Sequence, residues 1–331
     1  MSDLLAGGAI ARRNARTVLA TRKSAAVEWP TLALVGGAYS AWLALTYFHA
    51  ALPWWIVSLV GAVLLALHSS LQHEMLHGHP TFSRRLNCLL ATPPLSLWLP
   101  FESYRISHLI HHRDERLTDP LDDPESRYWT EAAWQRLGPI GHTLILAQST
   151  LLGRMILGPA WNVACFWCTE AGALWRGEGP ARRIWLAHIV HLVPVVLWLV
   201  FVARMDLAFY VFAIVYPGTS ILLIRSFAEH RAEASVIERT AIVENARLLG
   251  PLFLFNNLHV VHHSLPTLPW YAIPEWYRQN RERLIRENGG LVYASYFDVA
   301  RRYLFRPHDA VAHPFGRAPL ADGAALSDNG S

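Results

Sequence analysis

The stretch LPWWIVSLVGAVLLALHSSLQHEMLH, residues 52–77, decides how the rest of the chain is read. Residues 52–70 carry no charged side chain and come close to the roughly 20 residues a helix needs to cross a bilayer. The end of the stretch is a literal H-E-x-x-H, with His73 and His77 one helical turn apart, so both imidazoles share one face and can grip one metal ion. A span that runs directly into such a pair puts the pair at a membrane surface.

Upstream, residues 31–50 (TLALVGGAYSAWLALTYFHA) are also uncharged, and the two stretches read as a transmembrane hairpin turning at 51–53. A second hairpin is predicted from 184–203 and 207–224, joined only by Arg204-Met205-Asp206. Two apolar stretches are shorter or broken: 88–100 holds adjacent prolines, and 139–168 is interrupted by glycines, Arg154 and Pro159. Both are placed at the membrane surface. The expected fold is an all-α integral membrane protein with four transmembrane helices, interfacial helices and a histidine-rich cytoplasmic cap, and a 53% hydrophobic composition agrees with it.

The basic residues test that topology, since they concentrate on the cytoplasmic side of a membrane. Of 29 Lys and Arg, 28 fall in 1–30, 71–183 and 225–331, which the four-span arrangement puts on one side; only Arg204 falls on the other. Both termini and the histidines are therefore expected to be cytoplasmic, in a membrane of the bacterial inner type. Residues 1–30 form a basic segment without the apolar core of a signal peptide. Residues 31–305 form the membrane domain, and 306–331 a tail disordered at its end, with His308 and His313 solvated. The excess of 29 basic over 25 acidic residues is small, and no nucleic-acid partner is expected. Cys88, Cys165 and Cys168 are too few for a disulfide framework, and Cys165-Phe166-Trp167-Cys168 lacks the second pair that a zinc ribbon needs.

The 17 histidines are clustered. After His73 and His77 come His108-Leu109-Ile110-His111-His112 and His259-Val260-Val261-His262-His263, so eight imidazoles lie at i, i+3 and i+4 helical spacing. All three clusters emerge on the same membrane face in the four-span topology. Eight nitrogens exceed what one ion takes, and two ions with about four histidines each is the simplest arithmetic. Asn256 or Asn257 can cap the third cluster's short helix. The run 119–124, DPLDDP, reads as a turn-rich loop. His68 reads as a buried, hydrogen-bonded histidine, and His188 and His191 as cavity-lining or interhelical.

In order and flanking spans, these three boxes resemble the membrane fatty acid desaturase and hydroxylase superfamily over roughly residues 30–305. The resemblance implies two non-haem irons that activate O2 and abstract hydrogen from an unactivated carbon, with His73, His77, His108, His111, His112, His259, His262 and His263 as ligands. It implies a ninth ligand before the third box, for which His230 is the candidate. It also implies a polar residue one turn earlier, where Ser226 stands in place of the Asn frequent in acyl-CoA desaturases. Support for the ligands is expected from Glu74, His79, Ser226, Glu229 and Asn257, with Asp114 and Glu115 also adjacent to the boxes. The implied partners are a membrane lipid or acyl substrate and a separate electron donor such as a ferredoxin with its reductase. Desaturation of an alkyl chain is the leading expectation, with hydroxylation of a hydrocarbon or carotenoid as the alternative. An intramembrane zinc protease with Glu74 as general base, and a metal transporter, each leave the two H-x-x-H-H clusters unexplained or misplaced.

Overall fold

The computed structural model describes residues 27–315 and is mostly helical, with almost no strand. Helix α1 (Trp29–Tyr47) and helix α2 (Trp54–Leu76) form the first hairpin, closed by a short turn at His49–Ala51. Pro53 at the N-cap of α2 sits where no intrahelical N–H is lost. Helices α3 (Arg84–Ala91) and α4 (Phe101–His111) follow, then the loop 112–130. Helix α5 (Pro139–Gln148) meets helix α6 (Leu151–Trp175) at a 115° bend. Helices α7 (Gly179–Val202) and α8 (Leu207–Glu229) form the second hairpin. The cap is completed by α9 (His259–Ser264), α10 (Ile273–Glu287) and α11 (Tyr296–Tyr303). A two-residue parallel ladder pairs β1 (Ile242–Val243) with β2 (Val292–Tyr293).

Helices α2, α7 and α8 are each long and apolar enough to cross a membrane. The α5–α6 pair, expected at the surface, is apolar enough to make a fourth span when taken as one bent element. The chain breaks there because Thr150 turns out of the helix and its Oγ1 accepts from Gly153 N (3.1 Å), capping a new helix in another direction. Helix α1, predicted as a span, is 19 residues long and is not among the helices long and apolar enough to cross a membrane by themselves. It packs along α2, and Val35, Ala38 and Trp42 on its inner face are buried.

Helices α2 and α8 run parallel and touch closely. A Cβ on Gly61 would come within 2.8 Å of Ile214, and one on Gly218 within 2.6 Å of Leu65, so the contact advances along both helices in the same direction. Small residues that let backbones approach are how membrane helices associate where lipid offers no hydrophobic contrast. Polar groups inside this packing are paired: Trp42 Nε1 donates to Tyr210 OH (2.9 Å), and Tyr210 OH donates to Leu95 O (2.7 Å). His68 is buried against Tyr39 OH (3.1 Å), and His188 Nε2 lies 3.0 Å from Leu97 O, which ties α7 to the loop after α3. Cys165 and Cys168 are exposed on the outer face of α6. Since α2 and α8 run parallel, both end on the same side, and that side carries the histidines.

Candidate metal centre

Helix α2 carries His73 in its last turn and His77 as C-cap; α4 carries His108 and His111 in its last turn and His112 as C-cap. At the end of α8 the backbone leaves the helix at His230, which is extended (φ −135°, ψ 146°). Helix α9 consists of little more than the third cluster. Three helices thus aim their C-terminal ends, the negative poles of their dipoles, at one place, which favours a cation there.

The nine histidines sort into two groups: His73, His77, His108, His112 and His262 in one, and His111, His230, His259 and His263 in the other. Within each group one ring nitrogen from every histidine lies within 4.8 Å of those of the others. Nε2 of His112 is 2.8 Å from that of His262 and 3.0 Å from that of His108. Nε2 of His230 is 3.0 Å from those of both His111 and His259. Two nitrogens at about 2.1 Å from a shared ion and roughly at right angles are about 3 Å apart. The donor set therefore has the spacing of nitrogens gathered round an ion.

The outward-facing nitrogens supply a second test. His108 Nδ1 is 2.9 Å from Glu125 Oε1, His111 Nδ1 is 2.9 Å from Asp123 Oδ1, and His259 Nδ1 is 3.0 Å from Asn256 Oδ1. An ionised carboxylate only accepts, so the N–H of His108 and His111 is on Nδ1 and the lone pair on Nε2 points inward. His73 Nε2 and His77 Nε2 are buried with no hydrogen-bond partner among the described residues. Orphaned imidazole nitrogens converging on a buried centre are costly unless something occupies it, and the residues fit a metal pair.

Burial pushes the pKa of His112, His230, His259 and His262 down, and neighbouring imidazoles add to the effect, so these rings stay neutral as metal ligation requires. His111 goes the other way, up to about 9: burial opposes its charge, but Glu125 and Asp123 outweigh burial. The same negative potential that holds a proton at that ring favours a metal cation in its place.

The expected supporting residues divide. Glu229 reaches the site, 3.4 Å from His259 Nδ1 and held by Arg225 Nε at 3.1 Å. Glu74 lies about 100° round the helix from His73, and its Oε2 faces Trp270 N (3.4 Å) and His79 Nε2 (3.9 Å), away from the post a zinc-protease base would hold. His79 belongs to neither histidine group and is fully buried, with Nδ1 2.8 Å from Glu28, so a surface position does not describe it. Ser226 does not reach the cage: it is exposed, and its Oγ lies 3.5 Å from Leu223 O of its own helix. One-turn spacing fails there because His230 is extended rather than helical. Asn257 does not face a histidine either; its Nδ2 donates to Val243 O (2.7 Å) and pins β1, while Asn256 beside it takes the expected role.

Asp123 and Glu125 escaped sequence reasoning because both lie in or beside the run read as a turn. The run is a turn, with Asp119 Oδ1 accepting from Leu121 N (2.8 Å) and Asp122 N (3.0 Å). Asp123 is also a brace: its Oδ2 accepts from Thr118 N (2.9 Å) and its Oδ1 from Glu125 N (2.9 Å) while facing His111. Asp123→Ala is expected to weaken metal retention about 10- to 100-fold, the usual cost of losing an outer partner of a ligating histidine. Metal content after graded chelation checks this, and retention equal to the parent's would show that Asp123 only shapes the loop.

His308 and His313 are not solvated; each is buried, and the segment around them is strapped over the same loop. Trp129 N donates to Val311 O (2.9 Å), His313 N donates to Trp129 O (2.9 Å), and His308 Nε2 lies 2.8 Å from Tyr293 OH. The part of the expected tail beyond 315, and the basic segment before 27, lie outside the described residues.

A search of curated proteins finds no significant match. The family model for fatty acid desaturases matches residues 49–297, from the turn before α2 to the start of α11, and encloses every histidine of the two groups. With apolar spans ending in a nine-histidine cage and a match over most of its length, the chain belongs to the fatty acid desaturase family of membrane oxidoreductases.

Proposed function

We propose that this protein is an O2-dependent di-iron oxidoreductase that introduces a double bond into the alkyl chain of a membrane lipid or acyl substrate. The observation that carries the reading is the sorting of nine histidines into groups of five and four where α2, α4 and α8 end. His73, His77, His108, His112 and His262 would hold one iron, and His111, His230, His259 and His263 the other. Bound there, the irons supply the O2 chemistry needed to remove hydrogen from an unactivated carbon. The chain's own residues do the rest. Glu125, Asp123 and Asn256 fix ring orientation, burial keeps water from the centre, and the apolar walls of α1, α2 and α8 suit an alkyl chain lying beneath the cage.

Electrons are supplied from outside, by a donor such as a ferredoxin with its reductase, and a face rich in Arg suits an acidic protein. The distribution of arginines supports termini and cage on the cytoplasmic side, and the membrane proposed is of the bacterial inner type. Hydroxylation uses the same scaffold and is the alternative outcome of one test, lipid mass spectrometry of a host with and without the gene. A product lighter by two hydrogens is expected; one heavier by a single oxygen assigns a hydroxylase. The purified protein is expected to hold about two irons and no essential zinc. No lipid product with a competent donor and O2, or one zinc with peptide hydrolysis, would overturn the proposal.

A further inference from the structure

Helix α11 presents two faces of different chemistry. Tyr296 and Val299 are buried inward. Outward on α11, Phe297 is 77% exposed and the side chain of Arg301, one turn on, is 69% exposed; Phe305, two residues past the end of the helix, is 74% exposed. Arg301, Arg302, Tyr303, Arg306 and Pro307 line an open groove of about 420 Å³. Asp298 is the one acid bonded to these arginines among the described residues: its Oδ1 accepts from Arg301 Nη2 (3.1 Å) and Arg302 Nε (3.0 Å). Three guanidinium groups against one carboxylate leave the groove with a surplus of positive charge. Arg306 makes no ion pair among the described residues.

The groove's position identifies its solvent. Leu152 N donates to Leu304 O (3.1 Å), and His308 N donates to Ser149 O (2.9 Å). The end of α11 is thereby stitched to the break between α5 and α6, the bent pair apolar enough to enter a bilayer. Two large exposed aromatics beside arginines, on a surface helix and the segment just past its end, at the mouth of a membrane-entering helix, match the pattern of a segment lying in the interface: rings in the acyl boundary, cations at the phosphates.

We propose that this groove binds the phosphodiester headgroup of an anionic phospholipid, with Arg306 and Arg301 as its principal contacts and Phe297 and Phe305 seated among the acyl chains. The site depends on membrane embedding alone and not on the reaction assigned to the histidine cage.

The test is native mass spectrometry of the full chain, purified in detergent and offered equal amounts of phosphatidylglycerol and phosphatidylcholine with identical acyl chains. The parent is expected to retain phosphatidylglycerol preferentially. Arg301→Gln with Arg306→Gln is expected to lower that preference about fivefold per arginine. Arg301→Lys with Arg306→Lys is expected to keep most of it, because a phosphate also accepts a point charge. Thermal melting and metal content unchanged in all variants would confirm that the fold is intact. Equal retention of the two lipids by the parent, or an unchanged preference in the glutamine variant, would overturn the proposal. So would displacement of the lipid by inorganic phosphate at the same concentration, or weaker coupling to an acidic electron donor with lipid preference unaltered.

Discussion

His262→Ala is expected to lower turnover by more than about a hundredfold, beyond the cost of losing an outer partner, while the protein still reaches the membrane. His262 is the junction of the five-histidine group: its ring centroid lies 4.4 Å from that of His73, 4.7 Å from His77 and 4.6 Å from His112. It bridges the box at the end of α2 to the box at the end of α4 from the opposite side of the cage. Truncation removes one nitrogen and leaves the remaining buried imidazoles converging on an incomplete centre. Metal content should fall from about two per chain towards about one, because the four-histidine group keeps its donors. Insertion should be unaffected, since α9 is in the cap and contributes nothing to the spans. Metal analysis and turnover on the membrane fraction check both halves, and full activity would refute the ligand assignment.

What the sequence revealed and what it concealed follow from the range of the forces involved. Histidine spacing within a helix is a local property, so i, i+3 and i+4 pairs at 73–77, 108–112 and 259–263 announce shared faces without a structure. That the faces meet needs only the spans to end on one side, and the arginine count supplies this. The five-and-four division was not legible: adjacent residues His111 and His112 go to different groups, as do His262 and His263. Neighbours in a helix diverge by about 100°, but which of them faces which centre depends on how α4 and α9 are rotated. Asp123 and Glu125 were hidden for the opposite reason. Their local chemistry as turn formers is real, and it masks a contact made across the fold. Ser226 shows the limit of periodicity, since helical register says nothing beyond the residue where the helix ends.

The strap formed by 306–315 was the least legible element, and Arg127 is where it is fastened. Arg127 Nη1 donates to Phe227 O (2.6 Å), and Nη2 donates to His230 O (2.7 Å) and Asp309 Oδ2 (2.6 Å) and lies 2.6 Å from His308 Nδ1. Tyr128 OH donates to the same Asp309 oxygen (2.7 Å) and accepts from Ala232 N (2.8 Å). One guanidinium thus joins the acidic loop, the backbone of His230 and the strap. Its side chain is 16% exposed and that of Asp309 17%, so the pair is only weakly screened. Arg127→Ala leaves the Asp309 carboxylate without its guanidinium partner and two carbonyls without their donor, and is expected to destabilise the protein by about 3 kcal/mol, near the lower end for breaking a buried ion pair. Arg127→Lys should rescue little, because an ammonium cannot span acceptors arranged for a planar fork. Burial and Arg127 push His308 from its ordinary 6.5 down to about 4, with Asp309 opposing. The folded state therefore binds that proton more weakly than the unfolded chain, so this contribution to stability is complete above about pH 6.5 and is lost as the pH falls towards 4. Melting of the detergent-solubilised protein across that range, with metal retention measured alongside, tests the fastening. An Arg127→Ala variant that melts like the parent and keeps its metal would show that strap and loop are held by their backbone pairing alone.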